Sequence, residues 1–336
     1  MIVDAHLDLS YNALAGRDVL RPAREQTGGS EIPTVGLPDL RAGGVGLVCA
    51  TVFTEPSFDG SAGYRNADEA YTQGQRHLAW YQKQAADGVF RFVTSRDQIT
   101  PLMSPLGPSQ PPMQHAILLM EGADPLRTPA DIAAWYSAGL RAVGLAWKRT
   151  RYAGGTGMPG PLTSDGVELV RELDRFGIIH DTSHLAEQSF WQLLKITSGP
   201  MMASHSNCRL IVPTDRQLSD DMIRAIVDRG GVIGINFFDR FLLPPEQYGK
   251  RRATLADMAM HIRHVCELAG NARHVGLGTD MDGGLGRDQI PIEIQTSADL
   301  PRVADALLTA GFTGADITAI MHGNWLRFFA EVMPAG

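Results

Sequence analysis

The chain has 336 residues, 44% hydrophobic and 20% charged, with 36 glycines and 20 prolines. This ordinary globular composition excludes wholesale disorder, collagen-like repeats and coiled coils. Its 30 basic and 37 acidic residues give a formal net charge of −7, and the cations are scattered, so no nucleic-acid footprint is expected. Cys49, Cys208 and Cys266 stand in no metal or redox spacing, and the start Met1-Ile2-Val3-Asp4 carries no basic region or long apolar run. The expectation is a cytoplasmic protein with reduced thiols, no signal peptide and no membrane anchor.

Short apolar runs alternate with amphipathic stretches along the chain. Strands are expected at residues 2–7, 46–53, 116–120, 142–146, 178–180, 201–204, 232–236 and 275–278. Helices are expected at 68–87, 129–138, 164–176, 186–196, 219–228 and 254–269, with two more at 298–310 and 314–332. Ser219 ahead of an acidic turn and Thr313 three residues before Asp316 are cap signals. Eight strands, nearly all separated by a helix, predict one α/β domain over residues 1–336, a closed parallel (β/α)8 TIM barrel. A doubly wound open sheet is the rival, and the glycine-rich phosphate turn that marks it is absent. The proline-rich residues 100–112 read as a surface connector.

Polar residues collect where the strands end: His6 and Asp8, then Glu121, the run His180-Asp181-Thr182-Ser183-His184, His205, and Asp280 with Asp282. A parallel barrel brings all of these to one rim, the face on which barrel active sites are built. Residues two apart on a strand share a side, so His6 and Asp8 can grip one ion. Imidazole with carboxylate suits Zn²⁺ or a similar divalent metal. His180 and His184 have the HxxxH spacing of zincins. However, Asp181 replaces the Glu that would act as base, and Gly177-Ile178-Ile179 is strand-like, so that reading fails. His184 is the expected ligand, His180 a buried structural residue and Asp181 an orienter of ligands.

Asp4-Ala5-His6-Leu7-Asp8, Glu121-Gly122-Ala123-Asp124, Asp181-Thr182-Ser183-His184, Ser204-His205-Ser206-Asn207 and Gly278-Thr279-Asp280-Met281-Asp282-Gly283 resemble the membrane (renal) dipeptidase family, peptidase family M19. The resemblance extends to the closing Gly323-Asn324-Trp325-Leu326-Arg327. It implies a zinc-dependent hydrolase of free dipeptides holding two Zn²⁺ ions. His6 and Asp8 would hold the first ion, Glu121 would bridge both, and His184 and His205 would complete the second. Asp280 matches the catalytic acid/base. Arg216 matches the arginine that receives the substrate's C-terminal carboxylate, a task its planar fork suits. Family members commonly dimerise, and no apolar stripe in this sequence marks such an interface.

The sequence departs from the family at two places. Trp147 stands where many relatives carry a His that contacts the substrate carbonyl, and an indole offers one N–H and no cationic form. Arg149, Arg151 and Tyr152 lie nearby in sequence as substitutes. Phe238 stands where some relatives have Tyr. These departures keep two other readings open: a binuclear amidohydrolase acting on another small amide, and a weakly active metal-binding accessory protein.

Overall fold

The computed structural model describes residues 1–29, 31–58, 60–103 and 114–336. Among them nine parallel strands form one sheet: β1 (Ile2–Leu7), β2 (Val45–Phe53), β3 (Phe90–Phe92), β4 (Gln114–Glu121), β5 (Leu140–Gly144), β6 (Ile179–Asp181), β7 (Met201–Met202), β8 (Ile233–Ile235) and β9 (Val275–Leu277). Pairing runs β7-β6-β5-β4-β2-β1-β9-β8, and a parallel bridge between Ala203 and Ile233 joins the two ends. The result is the expected eight-stranded barrel. β3 is an addition: its three residues pair with 114–116 of β4, below the point where β5 takes over at Leu118. A run that short carries no readable alternation.

Alternation along the strands sorts the core into two layers. Val3, Ala5, Leu47, Cys49, Ile117, Leu119, Ala142, Ile179 and Met202 fill the barrel. Val48, Ala50, Leu118, Met120, Val143, Ile233 and Leu277 face the surrounding helices. Helix Asn324–Val332 closes the barrel floor with Trp325, Phe328 and Phe329, each at most 1% exposed. Truncating any of these rings to Ala should cost about 3–5 kcal/mol. Asn324 Nδ2 anchors this helix on the carbonyls of Ala272 and Val275, and Trp325 Nε1 donates to Leu277 O. The expected helix 314–332 is continuous but carries a π-helical turn, Ala319–Gly323, in its middle.

β7 is two residues shorter than expected because the Ser204 amide leaves the ladder and donates to Asp181 Oδ1 at 2.8 Å. Gly234 and Gly278 flank this point so closely that a Cβ on either would overlap the Ser204 carbonyl oxygen. Of the proline-rich residues 100–112, only Thr100–Met103, a 3-10 turn, lie among those described; the rest fall outside them.

Candidate active site

The inward-facing positions continue upward from the barrel core and become polar at the rim. On β4 the series Ile117, Leu119 ends in Glu121, and on β6 Ile179 is followed by Asp181. On β1 the pairing with β2 slips between Asp4 and Leu7, where three steps oppose two. This bulge turns Leu7 outward, so that His6, rather than a continuation of Val3 and Ala5, points inward. Simple alternation places His6 and Asp8 on one side; the bulge is what makes that side the interior.

His6, Asp8, Glu121, His184, His205 and Asp280 come together at the rim. Glu121 lies between the others. Its Oε2 is 3.4 Å from His6 Nε2, and its Oε1 is 3.2 Å from His184 Nε2 and 3.4 Å from His205 Nε2. His6 Nε2 is also 3.7 Å from Asp8 Oδ2 and 4.0 Å from Asp280 Oδ1. The Nε2 atoms of His184 and His205 are 3.0 Å apart. His6 Nε2 and Asp8 Oδ1 are buried without any hydrogen-bond partner among the described residues. Unpaired buried polar atoms are costly, so their convergence fits a cation between them. Ligand atoms lie within 4.8 Å of one another in the sets His6–Asp8–Glu121 and Glu121–His184–His205, and again in His6–His205–Asp280. The donor set, imidazole with carboxylate, fits zinc-like divalent ions.

The electrostatics of the bare cluster point the same way. Burial pushes the Glu121 carboxyl up, but His6, with hydrogen bonds from His184 and His205, outweighs it and holds the group well below its ordinary range. Burial depresses His6, yet Glu121 and Asp8 hold it well above its ordinary value. His184 is pushed down to about 4 by burial and by Arg216, and His205 is also lowered by burial, His6 and Arg216. In the metal-free chain His6 therefore keeps a proton between two carboxylates, where a cation is favoured. His184 and His205 are neutral, the form that ligates. Asp280 is raised to about 8, first by burial and then by Asp8 and Glu121, against the opposing effect of His6.

Hydroxyls fix the opposite ring edges. Ser204 Oγ donates to Asp181 Oδ2 at 2.5 Å, so its lone pairs are free to accept from His6 Nδ1 at 3.2 Å and His205 Nδ1 at 2.8 Å. Thr156 Oγ1 meets His184 Nδ1 at 3.0 Å. One Asp181–Ser204 pair thus holds Nε2 inward on a ligand from each set. Ser204 and Asn236 join the site beside the residues the sequence marks. Asn236 Nδ2 donates to Asp280 Oδ2 at 2.9 Å, and Asn236 is itself clamped by Asn207. His184, Asp280 and Asp282 are the non-glycine residues with positive φ among those described, at 64°, 59° and 64°. Such conformations store strain and gather at functional sites.

Several residues with sequence expectations have other places. His180 faces outward and pairs with Asp174 at 2.7 Å, the expected structural role. Asp282 accepts from Thr34 and Val35 and lies 3.3 Å from Arg17, tying down a loop rather than joining the cluster. Arg216 is 4% exposed behind His205; its Nη1 donates to Ser206 Oγ and its Nη2 to His205 O. It does not line the cavity beside the cluster. That cavity measures about 270 Å³ and is walled by Tyr11, Phe53, Trp147, Phe238, Phe241 and Leu285 around Asp8, Glu121, His184 and Asp280. Trp147 is wedged between Phe53, 5.1 Å away edge-on, and His184 at 6.3 Å. The expected substitutes for the family His do not reach the cavity. Arg151 is bound to Asp124 and the carbonyls of Leu126 and Arg127, Tyr152 donates to Leu126 O, and Arg149 holds Pro159 O. The charged neighbour that does line it is Lys148.

The model of the membrane dipeptidase family, peptidase family M19, matches residues 1–335. The chain belongs to that family. Among curated relatives, it is 33% identical over 213 residues to an uncharacterized Klebsiella pneumoniae protein encoded in the pqqA 5′ region, covering 60% of this chain and 76% of that one. It is 31% identical over 173 residues to the dipeptidase aclJ of Aspergillus oryzae, covering 52% of this chain and 39% of that one. An uncharacterized Schizosaccharomyces pombe dipeptidase is 27% identical over 215 residues, 62% of this chain and 51% of its own, so the match spans about half or less of the two fungal relatives. Solved structures share the fold. A family M19 dipeptidase superposes with TM-score 0.84 at 24% identity. A Rhodobacter sphaeroides metallopeptidase carrying a phosphinate mimic of L-Ala-D-Ala gives 0.82 at 23%. Each comparison covers 99% of both chains. No helix among the described residues is long and apolar enough to cross a membrane.

Proposed function

We propose that the chain is a metal-dependent dipeptidase with two zinc ions. His6 and Asp8 would hold one, His184 and His205 the other, with Glu121 shared between them. One observation carries this reading: each oxygen of a single buried carboxylate faces a different set of ligand atoms. Ions bound there would supply Lewis acidity, polarising a peptide carbonyl and lowering the pKa of water toward neutrality.

The chain's own residues do the rest. Asp280, its Oδ2 fixed by Asn236, directs Oδ1 toward the cluster; cations bound there would offset the Asp8 and Glu121 charges that raise it, leaving a carboxylate to take the proton from the attacking water and return it to the departing amine. Arg216 lies behind His205 rather than in the cavity wall; its charge, with an Nε that has no partner among the described residues, would serve the substrate's C-terminal carboxylate from there. Trp147 narrows the cavity where a His would otherwise reach the carbonyl. A cavity of about 270 Å³ is in scale with a dipeptide.

The test is turnover of L-Xaa-L-Xaa and L-Xaa-D-Xaa dipeptides by the metal-loaded protein. EDTA should abolish it, and Asp280→Asn should lower kcat about 10²–10⁴-fold, the usual worth of a general acid–base. Binding of two metal equivalents with no dipeptide cleaved would overturn the reading. Trp147 favours one alternative, a binuclear hydrolase of another small amide, which cyclic amides added to the panel would reveal.

A further inference from the structure

The cavity wall carries one charged group that the proposed reaction leaves unused. Lys148 is half-buried and lines the same cavity as Asp8, Glu121 and Asp280. Its ammonium lies 4.3 Å from the centre of the Phe58 ring and 5.0 Å from that of Trp147. These ring contacts are its only interactions among the described residues, none of whose carboxylates lies within ion-pair distance. Glu55, the acidic residue that shares the wall with it, is not its partner and accepts one hydrogen bond from the Tyr11 hydroxyl at 3.3 Å.

Two aromatic faces hold a cation in place without neutralising it. A lysine presented in this way is a point charge awaiting an anion, and the other anions facing the cavity belong to the metal cluster and to Asp280. Arg216, behind His205, donates to two protein oxygens through Nη1 and Nη2 and keeps an unpartnered Nε for one carboxylate, so a second carboxylate falls to Lys148. We propose that Lys148 receives a carboxylate of the substrate, and that with Arg216 serving the main-chain carboxylate this site selects dipeptides bearing an acidic side chain. The inference rests on the dipeptidase reading and names its substrate class.

The experiment uses isosteric pairs on the metal-loaded enzyme: L-Ala-L-Glu against L-Ala-L-Gln, and L-Glu-L-Ala against L-Gln-L-Ala. The wild type should prefer the acidic member of at least one pair. Lys148→Met, which keeps the apolar stem, should shrink that preference about tenfold, Lys148→Glu should invert it, and Lys148→Arg should restore most of it. If kcat/KM falls equally on both members of each pair, and more for Glu than for Met at position 148, Lys148 binds the main-chain carboxylate. The carboxylate receptor then stands and the side-chain preference falls. Equal effects of Lys148→Met and Lys148→Glu on every substrate would overturn the proposal, because a purely structural lysine gives no charge-dependent pattern. If the wild type cleaves none of the four, the wider L-Xaa-L-Xaa and L-Xaa-D-Xaa panel decides the dipeptidase reading separately. Calorimetric binding of glutarate then decides: tighter binding to wild type than to Lys148→Glu at equal metal loading supports the inference, and equal affinity sinks it.

Discussion

At the scale of single residues, the candidate ligands are oriented by groups outside the cluster itself. Ser204 is the most heavily used of these: one hydroxyl donates to Asp181 and accepts from a ring in each half of the cluster. Removing such a partner typically weakens metal binding about 10–100-fold. Ser204→Ala should therefore loosen both sites together, while Thr156→Val, whose hydroxyl meets only His184, should loosen one. Competition titration with a chromophoric chelator would separate the two; a Ser204→Ala protein that binds both equivalents as tightly as wild type would refute the shared role. The candidate ligands that the structure brings together are legible in the sequence because they stand at or just beyond the ends of apolar strand runs. Ser204 and Asn236 are not, because hydroxyl and amide side chains at strand ends are common and only the third dimension shows what they hold. Lys148 carries no such signal either: it sits in a short basic stretch with Arg149 and Arg151, both of which the loop turns away from the cavity.

At the scale of elements, the barrel strands and long helices were readable from periodicity and caps. The strand bulge at Asp4–Leu7, the added β3 and the π-turn in the last helix were not, since each departs from a regular period by a single residue or a very short run. His261, on helix Leu255–Ala269, shows how an element boundary is fastened: Nδ1 accepts from Cys208 N at 3.1 Å, and Nε2 donates to Leu242 O at 3.2 Å. This arrangement requires a neutral ring, and burial pushes the group down to about 4. Because the unfolded chain takes up the proton near pH 6.5 and the folded chain only near 4, stability from this residue is full above about pH 6.5 and is lost as pH falls toward 4, a cost of up to about 3 kcal/mol. Denaturant titrations across pH 4–7 should show a shallower acid-side decline for His261→Asn than for wild type, although the variant is less stable at neutral pH. Parallel curves would remove His261 from the account.

At the scale of the whole molecule, the cluster draws together β1, β4 and the segments after β6, β7 and β9, distant in sequence and spread around the barrel. Ions bound there tie these elements to one another in the folded chain only. At a free metal concentration about 100 times Kd, this linkage is worth about 2.7 kcal/mol. Scanning calorimetry with zinc and with EDTA should show the transition rising by several degrees in the loaded protein, and coincident transitions would mean that no such tie exists. The seam between β7 and β8 is drawn tight in another way. Gly234 and Gly278 leave room for the Ser204 carbonyl, and through it for the hydroxyl that aims both halves of the cluster. Neither glycine touches the cluster, yet any side chain there displaces the residue that orients two of its rings. In a saturation mutagenesis map, positions 234 and 278 should be as intolerant as His6 or Glu121, and a reader of that map alone would mistake two spaces for two functional groups.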